Sequence, residues 1–112
     1  MARDTSLVII QGTLDVMILK ALSTGPQHGY GISAWIRQRS EGELGIEDGA
    51  LYQALHRLAN RGWVEADWGV SDNNRRARFY QLTRLGRREL REAQDGWRRY
   101  ARAVSRVLDT PA

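Results

Sequence analysis

The sequence contains no cysteine, only one lysine and no long apolar run. Without cysteine it has neither a disulfide framework nor a thiolate metal site, which fits a protein of the reducing cytoplasm. The longest apolar run, residues 7–10, is far too short to span a membrane, and no signal-peptide pattern precedes it. We therefore expect a cytoplasmic protein that does not cross a membrane.

Residues that carry out catalysis are also scarce. The two histidines, His28 and His56, lie in different predicted helices, and neither has a cysteine or a suitably spaced histidine as a partner for a metal ion. The carboxylates are scattered among arginines, so no acid/base pair is suggested. We predict that the protein is not an enzyme and that it needs neither a metal nor a cofactor.

Positive charge is the main feature of the composition. The net charge is +4 over 112 residues, and the hydrophobic content of 42% is enough for one domain with a modest core. A basic balance favours an anionic partner such as nucleic acid or an acidic membrane surface. Nearly all of this charge is arginine, whose forked donors suit phosphate and guanine.

The clearest helical pattern lies in residues 46–62. Leu51, Leu55 and Leu58 recur at the spacing that places three side chains on one helical face. The acidic pair 47–48 suits a helix N-terminus, and Gly62 suits a stop. The opposite face carries small, hydrogen-bonding or cationic residues: Gly49, Tyr52, Gln53, His56, Arg57 and Asn60. Such a face can enter a DNA major groove, although an ordinary solvated face is the alternative.

Two shorter helices are predicted before this one. The first covers about residues 13–23 and is indicated by an apolar stripe at helical period: Leu14, Met17, Ile18, Ala21 and Leu22. The second covers about residues 28–39, with Ile32, Trp35 and Ile36 facing inward. Its opening, residues 28–31, has two glycines, which indicate close backbone packing or a tight start. Residues 1–10 fit either an extended arm or the lead-in to a helix.

The period changes after residue 62. In residues 63–68, Val64, Ala66 and Trp68 alternate with polar residues, which predicts a half-buried strand. Residues 78–83 read as its partner, with Tyr80 and Leu82 on one face. The turn-forming stretch between them, residues 69–77, carries a basic tip. Three helices followed by such a hairpin predict a winged helix-turn-helix.

From about residue 83 to 109 the chain is predicted to form one long helix, with Thr83 as its N-cap. Apolar residues step through it by three and four, which is a heptad seam: Leu90, Ala93, Trp97, Tyr100, Val104 and Val107. About 25 residues of helix extend roughly 37 Å, more than the rest of the chain can cover. We predict that a second copy covers the seam in a homodimer; the alternative is a helix folded back on its own domain.

The fold class is thus mainly α with a small β-hairpin. Residues 1–83 are predicted to form the winged helix-turn-helix DNA-binding domain, and residues 84–112 the dimerisation helix. The sequence resembles the PadR family of bacterial transcription regulators over nearly its full length. The similar stretches follow one another at compatible spacing: residues 12–15, 28–32, 51–58, 61–62, 68–69, 74–80 and 82–87.

The resemblance implies a homodimeric repressor that binds a palindromic operator in double-stranded DNA and is released by a small, often aromatic, effector. The single C-terminal helix is similar to that of the smaller of the family's two size classes. Ala50 and Gln53 stand where the family often has Ser and Pro. Because Gln53 adds a side chain that can bond to adenine, the operator sequence cannot be carried over. Trp63 replaces a more usual aliphatic residue.

Ten residues are predicted to contact DNA: Gly49, Ala50, Tyr52, Gln53, Arg57, Asn73, Arg75, Arg76, Arg78 and Tyr30. The two small residues at 49–50 let the helix start come close, and the next three reach bases or phosphates. The three arginines of the wing hold the backbone or enter the minor groove, on a turn shaped by the asparagines at 73–74. Residues 28 and 30 either touch phosphate or pack.

Trp97 lies near the middle of the seam, where tryptophans from two subunits can sandwich a flat aromatic effector. The alternative is that Trp97 simply fills the interface. For the protein as a whole, we predict sequence-specific DNA binding that regulates transcription, most naturally as a repressor. The alternative function is a winged-helix protein–protein interaction module without specific DNA binding. Clustered arginines at the wing tip argue against that alternative.

Overall fold

The computed structural model describes residue 9 and residues 12–112. Its elements are, in chain order, α1 Thr13–Leu22, β1 Gln27–His28, α2 Gly29–Arg39, α3 Asp48–Asn60, β2 Val64–Val70, β3 Arg76–Leu82 and α4 Arg84–Leu108. The strands form an antiparallel sheet in the order β1-β3-β2. The predicted winged helix with a long C-terminal helix is confirmed. The alternatives for residues 1–10 lie outside the described residues, apart from residue 9.

The core is formed by the inner faces of the first three helices and the inner ends of the strands. Leu51, Leu55 and Leu58 of α3 are almost completely buried, as their spacing predicts. Trp35, also predicted to face inward, is half-buried at the edge of this core. Replacing one such leucine by alanine costs about 2–5 kcal/mol of stability in protein cores generally. The buried face fixes α3, so its other face is presented to solvent.

The ends of the helices follow the predicted signals. Gly62 has a φ of 76°, a left-handed conformation that glycine adopts without steric cost just after a helix. Thr83 caps α4, because its Oγ1 accepts a hydrogen bond of 3.0 Å from the Gly86 amide. His28 caps α2 in the same way, with Nδ1 accepting from the Gly31 amide at 3.0 Å.

Strand β1 is absent from the sequence prediction, which had only a two-stranded hairpin. Gln27 pairs with Tyr80, and His28 pairs with Phe79, so the sheet gains a third strand. Two residues are too few to show the alternation that reveals a strand. This short pairing ties the start of α2 to β3 and therefore places the N-terminal end of α2 beside the wing.

The wing, defined as β2, β3 and the turn 71–75, is longer than predicted. Both strands extend into the stretch 69–77 that was predicted to form the tip, so that Val70 pairs with Arg76. Burial falls along β2 from Val64, which is 2% exposed, to Trp68, which is 56% exposed. The prediction that Trp68 is half-buried with Val64 and Ala66 is therefore wrong. The outer part of the hairpin projects beyond the described helices, and Trp68 there is not part of the core.

Helix α4 begins in the body of the domain and then leaves it. Gly86 and Leu90 are buried, and Leu90 belongs to the core of its own chain. The later large apolar side chains are exposed: Trp97, Tyr100, Val104, Val107 and Leu108. Among the described residues, the helix does not fold back over its own domain, and the seam beyond Leu90 is exposed. Within the described ranges, no helix is long and apolar enough to cross a membrane.

The start of α4 is held tightly against the link between α3 and β2. The Thr83 amide donates to the Trp63 carbonyl at 3.1 Å, and the Thr83 hydroxyl donates to the Gly62 carbonyl at 2.6 Å. A Cβ atom added at Gly86 would overlap the Trp63 carbonyl oxygen, whereas at Gly96 nothing lies within 4 Å of it. The predicted boundary at residue 84 therefore falls within a packed junction.

Gly86→Ala is expected to lower the melting temperature, although alanine is favoured over glycine in a helix interior by about 1 kcal/mol. Overpacking against a fixed carbonyl costs about 1–3 kcal/mol and outweighs that gain. Gly96→Ala is the matched control on the same helix and is expected to raise the melting temperature. Thermal unfolding followed by circular dichroism checks both. Stabilisation by Gly86→Ala would contradict the close contact with Trp63.

Candidate nucleic-acid interface

The predicted outer face of α3 is exposed along its whole length, at Gly49, Ala50, Tyr52, Gln53, His56, Arg57 and Asn60. No carboxylate follows Asp48 in this helix. A Cβ atom built at Gly49 would have no heavy atom within 4 Å, so the first turn of α3 is open to a close approach. The face is polar, uncovered and free of negative charge beyond its first residue.

Arg57 differs from the rest of this face because its guanidinium is already paired. Nε donates to one carboxylate oxygen of Asp15 in α1 at 3.2 Å, and Nη2 donates to the other at 2.5 Å. These hydrogen bonds raise the pKa of Arg57 above its usual value. Arg61 lies 3.7 Å from the same carboxylate. A DNA contact by Arg57 stays a prediction and has to compete with Asp15.

Both glycines at the start of α2 are sites of close packing, as predicted. A Cβ atom at Gly29 would lie 2.7 Å from the hydroxyl oxygen of Tyr52, so the tyrosine of α3 packs directly across α2. A Cβ atom at Gly31 would overlap the side chain of Gln27. Gly29 therefore lets Tyr52 of α3 approach the start of α2, whereas Gly31 leaves room for Gln27 just before the same helix.

His28 and Tyr30, for which sequence left packing and phosphate contact open, differ in exposure. The His28 ring meets the Phe79 ring edge to face, with centroids 5.3 Å apart, and also caps α2. Tyr30 is 80% exposed. The contacts of His28 are those of a packed residue, whereas Tyr30 is available to a partner.

Hydrogen bonds around Ser71 order the turn of the wing. Its amide donates to the Arg75 carbonyl at 2.8 Å, and its hydroxyl donates to Asn73 Oδ1 at 2.6 Å. Asn74 has a φ of 59°, a left-handed conformation that asparagine tolerates better than most residues. The predicted role of the two asparagines in shaping the turn is confirmed. Ser71 was missed, since serine in a turn-rich stretch is only a weak signal.

The outer part of the wing carries a cluster that the sequence analysis did not anticipate. The Arg76 guanidinium carbon lies 4.4 Å from the centroid of the Trp68 ring, and that of Arg78 lies 5.9 Å from it. Trp68 and Arg78 are direct cross-strand partners. We call these three residues the wing cluster. It combines an exposed aromatic ring with two exposed cations.

An open cleft of about 730 Å³ separates the wing from the starts of α2 and α3. Tyr30 and Tyr52 line one side of it, and the wing cluster lines the other together with residues 71–73 and 75. Its charged lining consists of the side chains of Arg75, Arg76, Arg78 and Asp72. A wide, net positive cleft with aromatic walls suits a phosphodiester strand better than a compact neutral molecule. In the described part of the chain, the cleft included, no group of acidic, histidine or cysteine residues is arranged to hold a metal ion.

The predicted site residues thus fall on two surfaces. Those proposed for DNA lie on the outer face of α3, at the start of α2 and on the wing. The seam residues from Trp97 onwards lie on α4 beyond the body of the domain, whereas Leu90, also predicted for dimerisation, is buried in the core of its own chain. The rings of Trp97 and Tyr100 are neighbours there, with centroids 6.1 Å apart, and both are exposed.

Comparison with known proteins identifies this arrangement. The family model described as "Transcriptional regulator PadR-like family" matches residues 18–92, which include α2, α3, the wing and the first turns of α4. The chain belongs to the PadR-like family. It is also 36% identical over 90 residues to an uncharacterized protein of Lysinibacillus sphaericus, covering 80% of this chain and 82% of that protein.

Solved structures of transcriptional regulators share the fold. A transcriptional regulator from Clostridium thermocellum matches with a TM-score of 0.78 and 27% identity, over 87% of this chain and 94% of that one. A PadR family transcription regulator from Clostridium difficile matches with a TM-score of 0.74 and 26% identity, over 87% of this chain and 99% of that one. Bacillus subtilis PadR, solved in complex with operator DNA, matches with a TM-score of 0.63 and 22% identity, over 71% of this chain and 45% of that one.

Proposed function

We propose that this PadR-like transcriptional regulator is a cytoplasmic homodimer that binds a palindromic operator in double-stranded DNA and represses transcription until a small effector releases it. The observation that carries DNA binding is the cleft between the wing and α3. Its three arginines face two exposed tyrosines, and the uncovered polar face of α3 adjoins it. The Bacillus subtilis protein, which shares this fold, is solved with operator DNA, and this supports the same use of the surface here.

Each part of the surface has a separate task in this proposal. Gln53, with a free amide on the exposed face of α3, reads base edges in the major groove. Gly49 and Ala50 leave room for the backbone of DNA to approach the helix start. Tyr30 and Tyr52 contact phosphate or sugar across the cleft. The arginines of the wing bind phosphates or enter the minor groove, which holds the register without reading sequence.

The uncovered seam of α4 supports the dimer. Five large apolar side chains lie exposed between Trp97 and Leu108, all in the second half of the helix. Contiguous apolar surface of this kind marks an association site. A second copy of the chain has the same heptad spacing, so its own seam can cover this apolar surface. Two copies related by a two-fold axis then present two α3 helices about 34 Å apart, the spacing of successive major grooves.

The experiment that tests DNA binding is a gel shift on the duplex immediately upstream of the protein's own gene, at two salt concentrations and with an unrelated competitor duplex. A specific shift that survives the competitor is the expected result. A shift that the competitor abolishes indicates only attraction between arginines and phosphates. That outcome, repeated on other candidate duplexes, would favour the protein-interaction alternative. Lower output of a reporter behind the shifted duplex when the protein is present tests repression.

Trp97 is proposed as the effector contact because it is an exposed ring beside Tyr100 in the part of α4 that the dimer covers. Titration with planar aromatic compounds is expected to quench tryptophan fluorescence in the wild type and to lose most of that quenching in Trp97→Ala. Trp68→Phe is the control, since it removes a different exposed tryptophan remote from the seam. If the compounds quench the fluorescence of Trp97→Ala as strongly as that of the wild type, Trp97 does not bind the effector and only packs in the interface.

A further inference from the structure

We propose that Trp68 is a positioning residue for DNA binding: its exposed indole ring holds the guanidinium groups of Arg76 and Arg78 in the orientation in which they meet phosphate. This inference rests on the proposed function, because it concerns how the wing binds DNA. It adds a residue that sequence reasoning had placed on the apolar face of a half-buried strand. It also gives a physical reason for a large aromatic side chain at a site that is 56% exposed.

The geometry of the wing supports this role. Trp68 on β2 pairs directly with Arg78 on β3, and Arg76 lies two residues before Arg78 on β3. All three side chains therefore lie on one face of the hairpin. The guanidinium carbons lie 4.4 Å and 5.9 Å from the ring centroid, within the range of cation–π attraction. The same residues line the cleft. The cluster is therefore part of the surface that meets DNA.

Stacking differs from ion pairing in what it leaves available. A carboxylate occupies the N–H donors of an arginine, as Asp15 does for two donors of Arg57. An aromatic ring attracts the guanidinium through the ring face and leaves the N–H edges free. A long arginine side chain otherwise loses much rotamer freedom when it is fixed on a phosphate. Trp68 therefore reduces that entropic cost without neutralising the charge.

Two other roles for Trp68 lead to different results. If the ring itself contacted sugar or base, its loss would weaken binding whether or not the arginines were present. If the ring only stabilised the wing, its loss would lower the melting temperature. Val70 provides the matched control: it lies on the same strand face, is 66% exposed and, although it is the cross-strand partner of Arg76, it offers that guanidinium no aromatic ring. Val70→Ala is expected to leave operator affinity unchanged.

The test is a double-mutant cycle on operator affinity. Trp68→Leu is expected to raise the operator Kd about fivefold, in line with cation–π attraction at exposed sites, and Trp68→Tyr to change it less than about twofold. The slope of log Kd against log salt should stay at the wild-type value in Trp68→Leu, because the variant keeps every charge. With Arg76→Ala and Arg78→Ala already present, Trp68→Leu is expected to have no further effect.

Several outcomes would overturn the inference. An equal loss of affinity from Trp68→Leu with and without the two arginines would mean that Trp68 contacts DNA itself. If Trp68→Leu binds the operator with wild-type affinity, Trp68 has no role in DNA binding. If the wild type itself binds no operator, the result counts against the proposed function instead. Proton NMR of the DNA-free protein tests the stack independently. Ring-current shifts of the Arg76 and Arg78 side chains are expected in the wild type and not in Trp68→Leu, and their absence from the wild type would exclude the stack.

Discussion

Replacing Tyr100 and Val104 together by alanine is expected to turn the proposed dimer into monomers and to raise the operator Kd by about 100-fold or more. Both side chains belong to the exposed part of the seam, where Tyr100 is 58% and Val104 37% exposed in the single chain. In a dimer, binding of the first half-site holds the second α3 helix close to its own half-site at a high effective concentration. Monomers do not have this gain, although their DNA-binding surface is intact.

Both substitutions are neutral, so a loss of binding reports assembly rather than a change in charge. Light scattering after gel filtration gives the mass, expected near 12.8 kDa for the variant and near twice that for the wild type. Ser105→Ala, about 100° further around the helix than Val104, is the control and is expected to stay dimeric. A variant that keeps the dimer mass would show that this part of α4 is not the interface.

The helices and the core could be predicted because local periodicity determines them. Leu51, Leu55 and Leu58 are buried since three residues at helical spacing must share a face, and this face is the only apolar one on α3. Gly62 and Thr83 end and begin helices through contacts within a few residues of themselves. Features of this kind depend on the chain close to them, so reading the sequence in order is enough to find them.

The features that sequence reasoning missed depend on distant parts of the chain. The pair between Arg57 and Asp15 joins residues 42 positions apart, and no local pattern distinguishes Arg57 from the other residues on its helix face. The exposure of Trp68 depends on how far the hairpin projects beyond the helices. The alternation of Val64, Ala66 and Trp68 gives the face correctly, but it cannot tell where along that face the core ends.

Counting arginines therefore does not measure the charge available to DNA. Arg57 shares its donors with Asp15, and Arg61 lies near the same carboxylate while its guanidinium carbon stacks 5.0 Å from the Trp63 ring. The wing arginines differ, because in the described part of the chain no carboxylate lies within ion-pair distance of them. In the described part of the chain, the charge at the C-terminal end of α3 is paired, whereas the charge at the wing beside the cleft and the charge along α4 are not. This separation predicts where the salt dependence of binding originates.

Arg75→Ala combined with Arg76→Ala is expected to raise the operator Kd by about 10- to 100-fold at physiological salt, because each arginine that meets a phosphate releases counterions on binding. The slope of log affinity against log salt should become less steep by about 0.9 for each phosphate that the variant no longer neutralises. Arg75 lies in the exposed turn and Arg76 begins β3, so neither substitution disturbs the core. Operator titrations at several salt concentrations provide both quantities.

Arg102→Ala with Arg106→Ala removes the same charge from exposed positions on α4, away from the wing and from the apolar seam. Because these arginines lie outside the proposed interface, the control should keep the wild-type slope and nearly the wild-type affinity. If the two pairs of substitutions instead weaken operator binding equally, the affinity depends only on the total charge of the protein, and the wing makes no specific contact with DNA. A change of slope confined to the wing variant would place phosphate against the cleft. Only a local contact, rather than net charge, can make two variants of equal charge differ in this way.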